Sequence, residues 1–230
     1  MKVEISRLHY ITQDVFGFTH AQLAEFACKG GTDWVQLRVK NKPYEEWLKI
    51  AQETKLVCLK YRAKLVINDN VQLAKEISAD GVHLGKEDMH PKEARKILGN
   101  GFIIGGSTNN TENVRRQMAD GCDYIGLGPF RNTTTKEKLN PILGLDGIIK
   151  IAEQFGNKIP IIAIGGIKLD DVASLMQTGI HGVAVSSGIN LAEDKSAAAG
   201  KFVDALISIK KLPLVPLYKG ETKQPSTSSI

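Results

Sequence analysis

What most limits the fold of this 230-residue chain is a strict alternation of two kinds of segment. Eight short apolar runs read as strands: Leu8–Thr12, Trp34–Arg38, Leu65–Asn68, Gly81–Leu84, Ile103–Gly106, Tyr124–Gly126, Ile161–Ile164 and Gly182–Val185. Each is followed by a longer stretch with apolar residues three and four apart, the helical period. These stretches are His20–Lys29, Tyr44–Tyr61, Val71–Ile77, Pro91–Leu98, Glu112–Ala119, Leu145–Phe155, Asp170–Thr178 and Ser196–Ile209. Such alternation calls for parallel strands joined by crossover helices. Runs such as IIAI at 161–164 are apolar throughout, as strands covered on both faces tend to be. Eight units in about 210 residues suit a closed (β/α)8 barrel. An open doubly wound sheet would place a Gly-rich turn after its first strand, and here Gln13-Asp14-Val15-Phe16 follows instead. The predicted fold is therefore α/β, a single TIM barrel over residues 1–210. A tail at 211–230, with Pro213, Pro216 and Pro225, is expected to be poorly ordered.

Composition removes several function classes. With 42% hydrophobic and 24% charged residues the chain is an ordinary globular protein, and its longest apolar runs fall far short of the ~20 residues of a membrane span. Glu4 and Arg7 interrupt any export signal in MKVEISRLHY, and three widely spaced cysteines (Cys28, Cys58, Cys122) form no CxxC pattern. Both features lead us to expect reduced thiols and a cytoplasmic location. The formal charge is +5, but Lys211, Lys219 and Lys223 against Glu221 place +2 of it in the tail. No basic segment is interleaved with aromatics, so neither nucleic acid nor membrane is expected as a partner. Small phosphorylated molecules are, and self-association into a homo-oligomer is compatible with the sequence.

A barrel carries its chemistry at the C-terminal ends of its strands. After the second strand, Gln36, Arg38 and Lys40 share one side by the period of two. An amide and two cations on one face suit an anion or a carboxylate, the alternative being a solvent-exposed strand end. The third strand ends Asn68-Asp69-Asn70 and the fourth is followed by Asp88. Carboxylates past adjacent strands can share a hard cation, for which Mg2+ is the candidate; otherwise they cap the next helices. The sixth strand opens a long loop, Gly126-Leu127-Gly128-Pro129-Phe130-Arg131-Asn132-Thr133-Thr134-Thr135-Lys136 and onward to about Leu145. Hydroxyls beside a lysine suit a polyanionic ligand. The seventh and eighth strands end in Gly165-Gly166 and Ser186-Ser187, small residues at the position where barrels bind phosphate on backbone N–H groups. One pocket thus faces two anion sites. No Ser–His–Asp or Cys–His set is present, and His9, His20, His83, His90 and His181 show no ligand spacing, so they read as packing or surface histidines.

QLRVK (36–40), INDN (67–70), ADGVHLGKED (79–88), GGST (105–108), DYIGLGPF…TTTK (123–136), IPIIAIGGI (159–167) and GVAVSSGI (182–189) together resemble the thiamine-phosphate synthase family, in that family's order, over about residues 8–205. The resemblance implies a (β/α)8 enzyme that joins hydroxymethylpyrimidine pyrophosphate to a thiazole phosphate, in some members carboxylated, and releases pyrophosphate. It implies that Gln36, Leu37, Arg38, Val39, Lys40, Asn68, Ser107 and Lys136 bind the pyrimidine pyrophosphate. Lys136, Arg38, Lys40 and Ser107 would assist the chemistry, and Asp69 and Asp88 would hold Mg2+. Thr133, Thr134, Thr135, Gly165, Gly166, Ser186 and Ser187 would hold the thiazole phosphate. The implied substitution is dissociative, so the protein must stabilise a departing polyanion and needs no general base. Two positions depart from the pattern: Asn70, where members often carry Arg, and Asn109, where they often carry His. A thiazole tautomerase, or a barrel that only binds thiamine-related phosphates, are the competing readings. Retention of Lys40, Asp69, Asp88 and Lys136 argues against the first, and the second would not require so complete a set of charges.

Overall fold

The computed structural model describes residues 4–132 and 141–210. Eight parallel strands pair in chain order and close on themselves: β1 (Leu8–Ile11), β2 (Trp34–Leu37), β3 (Lys64–Asn68), β4 (Gly81–Leu84), β5 (Ile103–Thr108), β6 (Tyr124–Leu127), β7 (Ile161–Ile164) and β8 (Gly182–Val185). The closing register sets Leu8, His9 and Tyr10 against Val183, Ala184 and Val185. Around them run α1 (His20–Lys29), α2 (Tyr44–Tyr61), α3 (Val71–Glu76), α4 (Pro91–Leu98), α5 (Thr111–Ala119), α6 (Gly144–Phe155), α7 (Val172–Gln177), α8 (Ser187–Asn190) and α9 (Lys195–Lys210). The single barrel expected from the alternation is the architecture found. Two details differ from expectation. β5 runs on to Thr108 and so carries Ser107 on the strand, and the four-residue α8 precedes the last long helix. Among the described residues no helix is long and apolar enough to cross a membrane.

The alternation of side chains along each strand builds two cores. Outward residues such as Leu37, Leu65, Ile67, Val82, Ile104, Ile125 and Val183 pack against the helices in one continuous apolar layer. Inward residues form a second cluster of Ile5, Ile11, Trp34, Val66, Ile103, Tyr124, Ile162 and Ala184. His9 stacks on Trp34 within it, ring centroids 4.0 Å apart, and meets the Tyr124 edge at 4.9 Å. Burial pushes the His9 imidazole well below its ordinary pKa, so it sits there as a neutral packing group. The Tyr124 ring reaches across the barrel because β5 offers it Gly105, where any Cβ would run into the ring. These inward layers fill the barrel and form a floor beneath its C-terminal mouth.

Candidate active site

A cavity of about 420 Å3 opens at that mouth. Its wall is the next inward layer above the aromatic floor: Gln36, Arg38 and Lys40 from β2 and its extension, Asn68 from β3, His83 from β4, Ser107 from β5, and Gly126 and Gly128 from β6. Asp69, Gly85 and Asp88 line it on one side, with Gly165, Gly166, Ser186 and Ser187 on the other. The two groups of strand-end residues that the sequence marks for anions therefore line one space. Leu37 and Val39 do not belong to it. Both are buried in the outer layer against the helices, because a strand sends alternate side chains to opposite faces. Of the 36–40 segment, the side chains that reach the cavity are those of Gln36, Arg38 and Lys40. Thr133, Thr134, Thr135 and Lys136 lie outside the described residues.

Asp69 sits at the tip of β3 with φ 67°, a left-handed backbone that L-residues rarely adopt. Its N–H donates to His83 O at 2.8 Å, while the next N–H, of Asn70, turns back to Asn68 O at 2.9 Å. This tight turn aims the carboxylate at Lys40, whose Nζ donates to Oδ2 at 2.5 Å. Asp88 is held from behind by the Gly85 N–H, which donates to its Oδ2 at 2.6 Å. Burial, together with the Asp69 carboxylate beside it, pushes Asp88 up to about 6. Burial alone would raise Asp69 as well, but hydrogen bonds from Asp88 and Lys40 outweigh it and hold Asp69 below the usual carboxylate range. Neither aspartate caps a helix: the Asn70 side chain accepts the Leu73 N–H at 2.9 Å to start α3, and α4 begins after His90. Asn70 thus has a local structural use.

Two oxygen-donor groups so close that one resists ionisation are a fit for a hard divalent cation, which relieves their mutual repulsion. Among the described residues no set of three or more His, Cys, Asp or Glu gathers for a metal. A cation here would take two protein carboxylates and draw its remaining oxygens from water or phosphate, the habit of Mg2+.

The opposite wall is made of backbone. Gly165 and Gly166, at φ 105° and 64°, turn β7 sharply at the cavity edge. Beside them Ser186 leads into α8, whose first N–H groups have no carbonyl partner within the helix. The turn is anchored by Asn190, fully buried, whose Nδ2 donates to Ile11 O at 2.8 Å while its Oδ1 accepts the Tyr10 hydroxyl at 2.5 Å. Ser186 Oγ donates to Gln13 Oε1 at 2.9 Å, so this hydroxyl is tied to the first loop, and Ser187 lines the cavity beside it.

His83 is the residue that strand reading missed. It lines the cavity, with Nε2 2.9 Å from Ser107 Oγ and Nδ1 2.9 Å from the Tyr124 hydroxyl. Ser107 is thereby oriented by a polar column that rises from the aromatic floor. The inward parity of β4 was the available signal. The other histidines fit their reading: His20 bonds Thr12 and Asp14, His90 meets Asp120, and His181 meets Ile5 O.

Against known proteins, the family model described as thiamine monophosphate synthase matches residues 8–189. The thiamine-phosphate synthase of Flavobacterium johnsoniae is 49% identical over 193 residues, covering 83% of this chain and 91% of that protein. That of Bacteroides thetaiotaomicron is 42% identical over 206 residues, 88% and 99% of the respective chains. In three dimensions the thiamine phosphate pyrophosphorylase from Pyrococcus furiosus is similar with a TM-score of 0.80 at 32% identity, covering 88% of this chain and 96% of that one. A KDPGal structure with a TM-score of 0.70 at 15% identity shares the barrel alone. With matches of this extent, the chain belongs to the thiamine-phosphate synthase family, transferases of thiamine biosynthesis.

Proposed function

We propose that the chain couples 4-amino-2-methyl-5-(diphosphooxymethyl)pyrimidine to a thiazole phosphate, plain or carboxylated, giving thiamine phosphate and pyrophosphate. One observation carries this reading: a single cavity has two unlike anion-holding walls, with Arg38, Lys40 and Asn68 beside paired aspartates on one and the Gly165-Gly166 and Ser186-Ser187 turns on the other. The first wall suits a diphosphate and the second a monophosphate, which are the two charged ends of the proposed substrates.

Positive charge fixed where negative charge develops lowers the barrier to losing a diphosphate. Arg38 and Lys40 supply it from the β2 face, and Arg38 is partly desolvated, which strengthens its field inside the cavity. Asp69 and Asp88 would hold Mg2+, which when bound neutralises the diphosphate oxygens. Gln36, Ser107 and His83 present hydrogen-bonding groups from the floor to the edge of a heteroaromatic ring. The thiazole nitrogen is already a nucleophile, so the second wall has only to align it, and the cavity needs no general base. By its resemblance, Lys136 would add charge at the leaving group, and Thr133, Thr134 and Thr135 would add hydroxyls at the thiazole phosphate.

The test is a coupling assay with both phosphorylated substrates, reading pyrophosphate release with Mg2+ and with EDTA. Turnover that needs Mg2+ is expected. Full turnover in EDTA would remove the metal from the scheme, and no turnover with either thiazole would overturn the reading. Lys136→Ala should slow the single-turnover step more than it weakens thiazole binding.

A further inference from the structure

Arg131 lies behind the glycine wall, outside the cavity lining and outside every role assigned above. Its backbone N–H donates to Gly165 O at 3.1 Å, and its Nη1 donates to Gly166 O at 3.0 Å. The same guanidinium makes a two-pronged pair with Asp171, Nη1 to Oδ2 at 2.6 Å and Nη2 to Oδ1 at 2.7 Å. Asp171 Oδ2 also accepts the Lys168 N–H at 2.7 Å, so the pair spans the segment from β7 to α7. Phe130 supports the guanidinium, its ring centroid 4.8 Å away.

Glycine has no intrinsic reason to stay at one positive φ, so a glycine turn that must present its N–H groups in fixed directions has to be held from outside. Here the holding group is plain. A Cβ on Gly166 would come within 2.5 Å of Arg131 Cγ and 2.9 Å of Asn132 O, so this part of the turn is moulded onto Arg131 and its neighbour. A solvent-facing ion pair on its own adds little to stability. This one is two-pronged, and the same guanidinium bonds the carbonyl of the glycine turn itself. A lysine could not reproduce it, because an ammonium lacks the planar fork.

We infer that Arg131 and Asp171 are positioning residues that hold the Gly165-Gly166 turn in its phosphate-receiving shape. The inference rests on the coupling reading above for the identity of the phosphate ligand.

The experiment compares wild type with Arg131→Met, Arg131→Lys, Asp171→Asn and the double variant Arg131→Met/Asp171→Asn. Asparagine at 171 keeps an acceptor for the Lys168 N–H. Each substrate is varied in steady-state kinetics well below the melting temperature, and amide hydrogen exchange is read at residues 165–168. We expect the KM for thiazole phosphate to rise about tenfold in Arg131→Met and Asp171→Asn, and that for the pyrimidine substrate to stay within about twofold. The double variant should be no worse than the worse single, the mark of one shared interaction. Arg131→Lys should recover only part of the loss, and exchange at 165–168 should speed up about tenfold where the pair is broken. A lower melting temperature with unchanged KM and exchange would overturn the inference, as would fully additive losses. If wild type fails to couple the two substrates, the functional reading falls, and exchange then decides the positioning role by itself: unchanged exchange overturns it.

Discussion

Asp69 shows at the scale of one residue how a site is made at the expense of its own backbone. A non-glycine residue at φ 67° costs roughly 1–3 kcal/mol, and the tight turn from Asn68 to Asn70 imposes it. Asn tolerates the same conformation and carries no charge. Asp69→Asn is therefore expected to lower kcat about 100-fold or more while the melting temperature changes little, since relief of the repulsion on Asp88 offsets the lost ion pair with Lys40. In the same variant the Asp88 carboxyl should titrate below its present value of about 6, which a pH titration followed by NMR would read. The placement of Asp69 and Asp88 at the cavity was legible because a carboxylate just past a strand has one place to go in a barrel. That of His83 was not, since its partners Ser107 and Tyr124 are 24 and 41 residues away. The side chains of Leu37 and Val39 turn away from the cavity, since a motif is contiguous in sequence whereas a strand offers the pocket only every second side chain.

At the scale of elements, the link between β6 and α7 runs through a carboxylate with a signature in acid. Burial would raise Asp171, but Arg131 and the Lys168 N–H outweigh it and hold the group below the usual carboxylate range. A depressed folded-state pKa contributes stability that is fully present above the unfolded value, about 3.9, and is lost as pH falls through the folded one. The difference in melting temperature between wild type and Asp171→Asn should accordingly be constant above about pH 5 and shrink steadily below about pH 4, as thermal melts across that range would show. The long elements were readable because an apolar period sustained over several turns has one interpretation, as in α2 and α6. α8 was not, because four residues contain little more than one turn and no period. The bond from Arg131 to Asp171 was likewise hidden, as nothing local marks two charged residues 40 positions apart as partners.

For the whole molecule, eight units and the missing Gly-rich turn distinguished a closed sheet from an open one, and the seam from β1 to β8 is where closure is made. Asn190 stitches that seam by serving the Tyr10 hydroxyl and the Ile11 carbonyl together. Asn190→Ala would strand both groups out of reach of water, at a cost of about 1–3 kcal/mol for each unsatisfied group. A drop in melting temperature of about 4–24 °C, measured by calorimetry, is expected for a chain of this size. The stitch also has a temporal meaning. Because Asn190 also bonds Ser186 O, a growing chain on the ribosome ties β1 to the turn after β8 in a single late event. A nascent fragment that ends before that residue would lack the bonds that bring the first strand to the last.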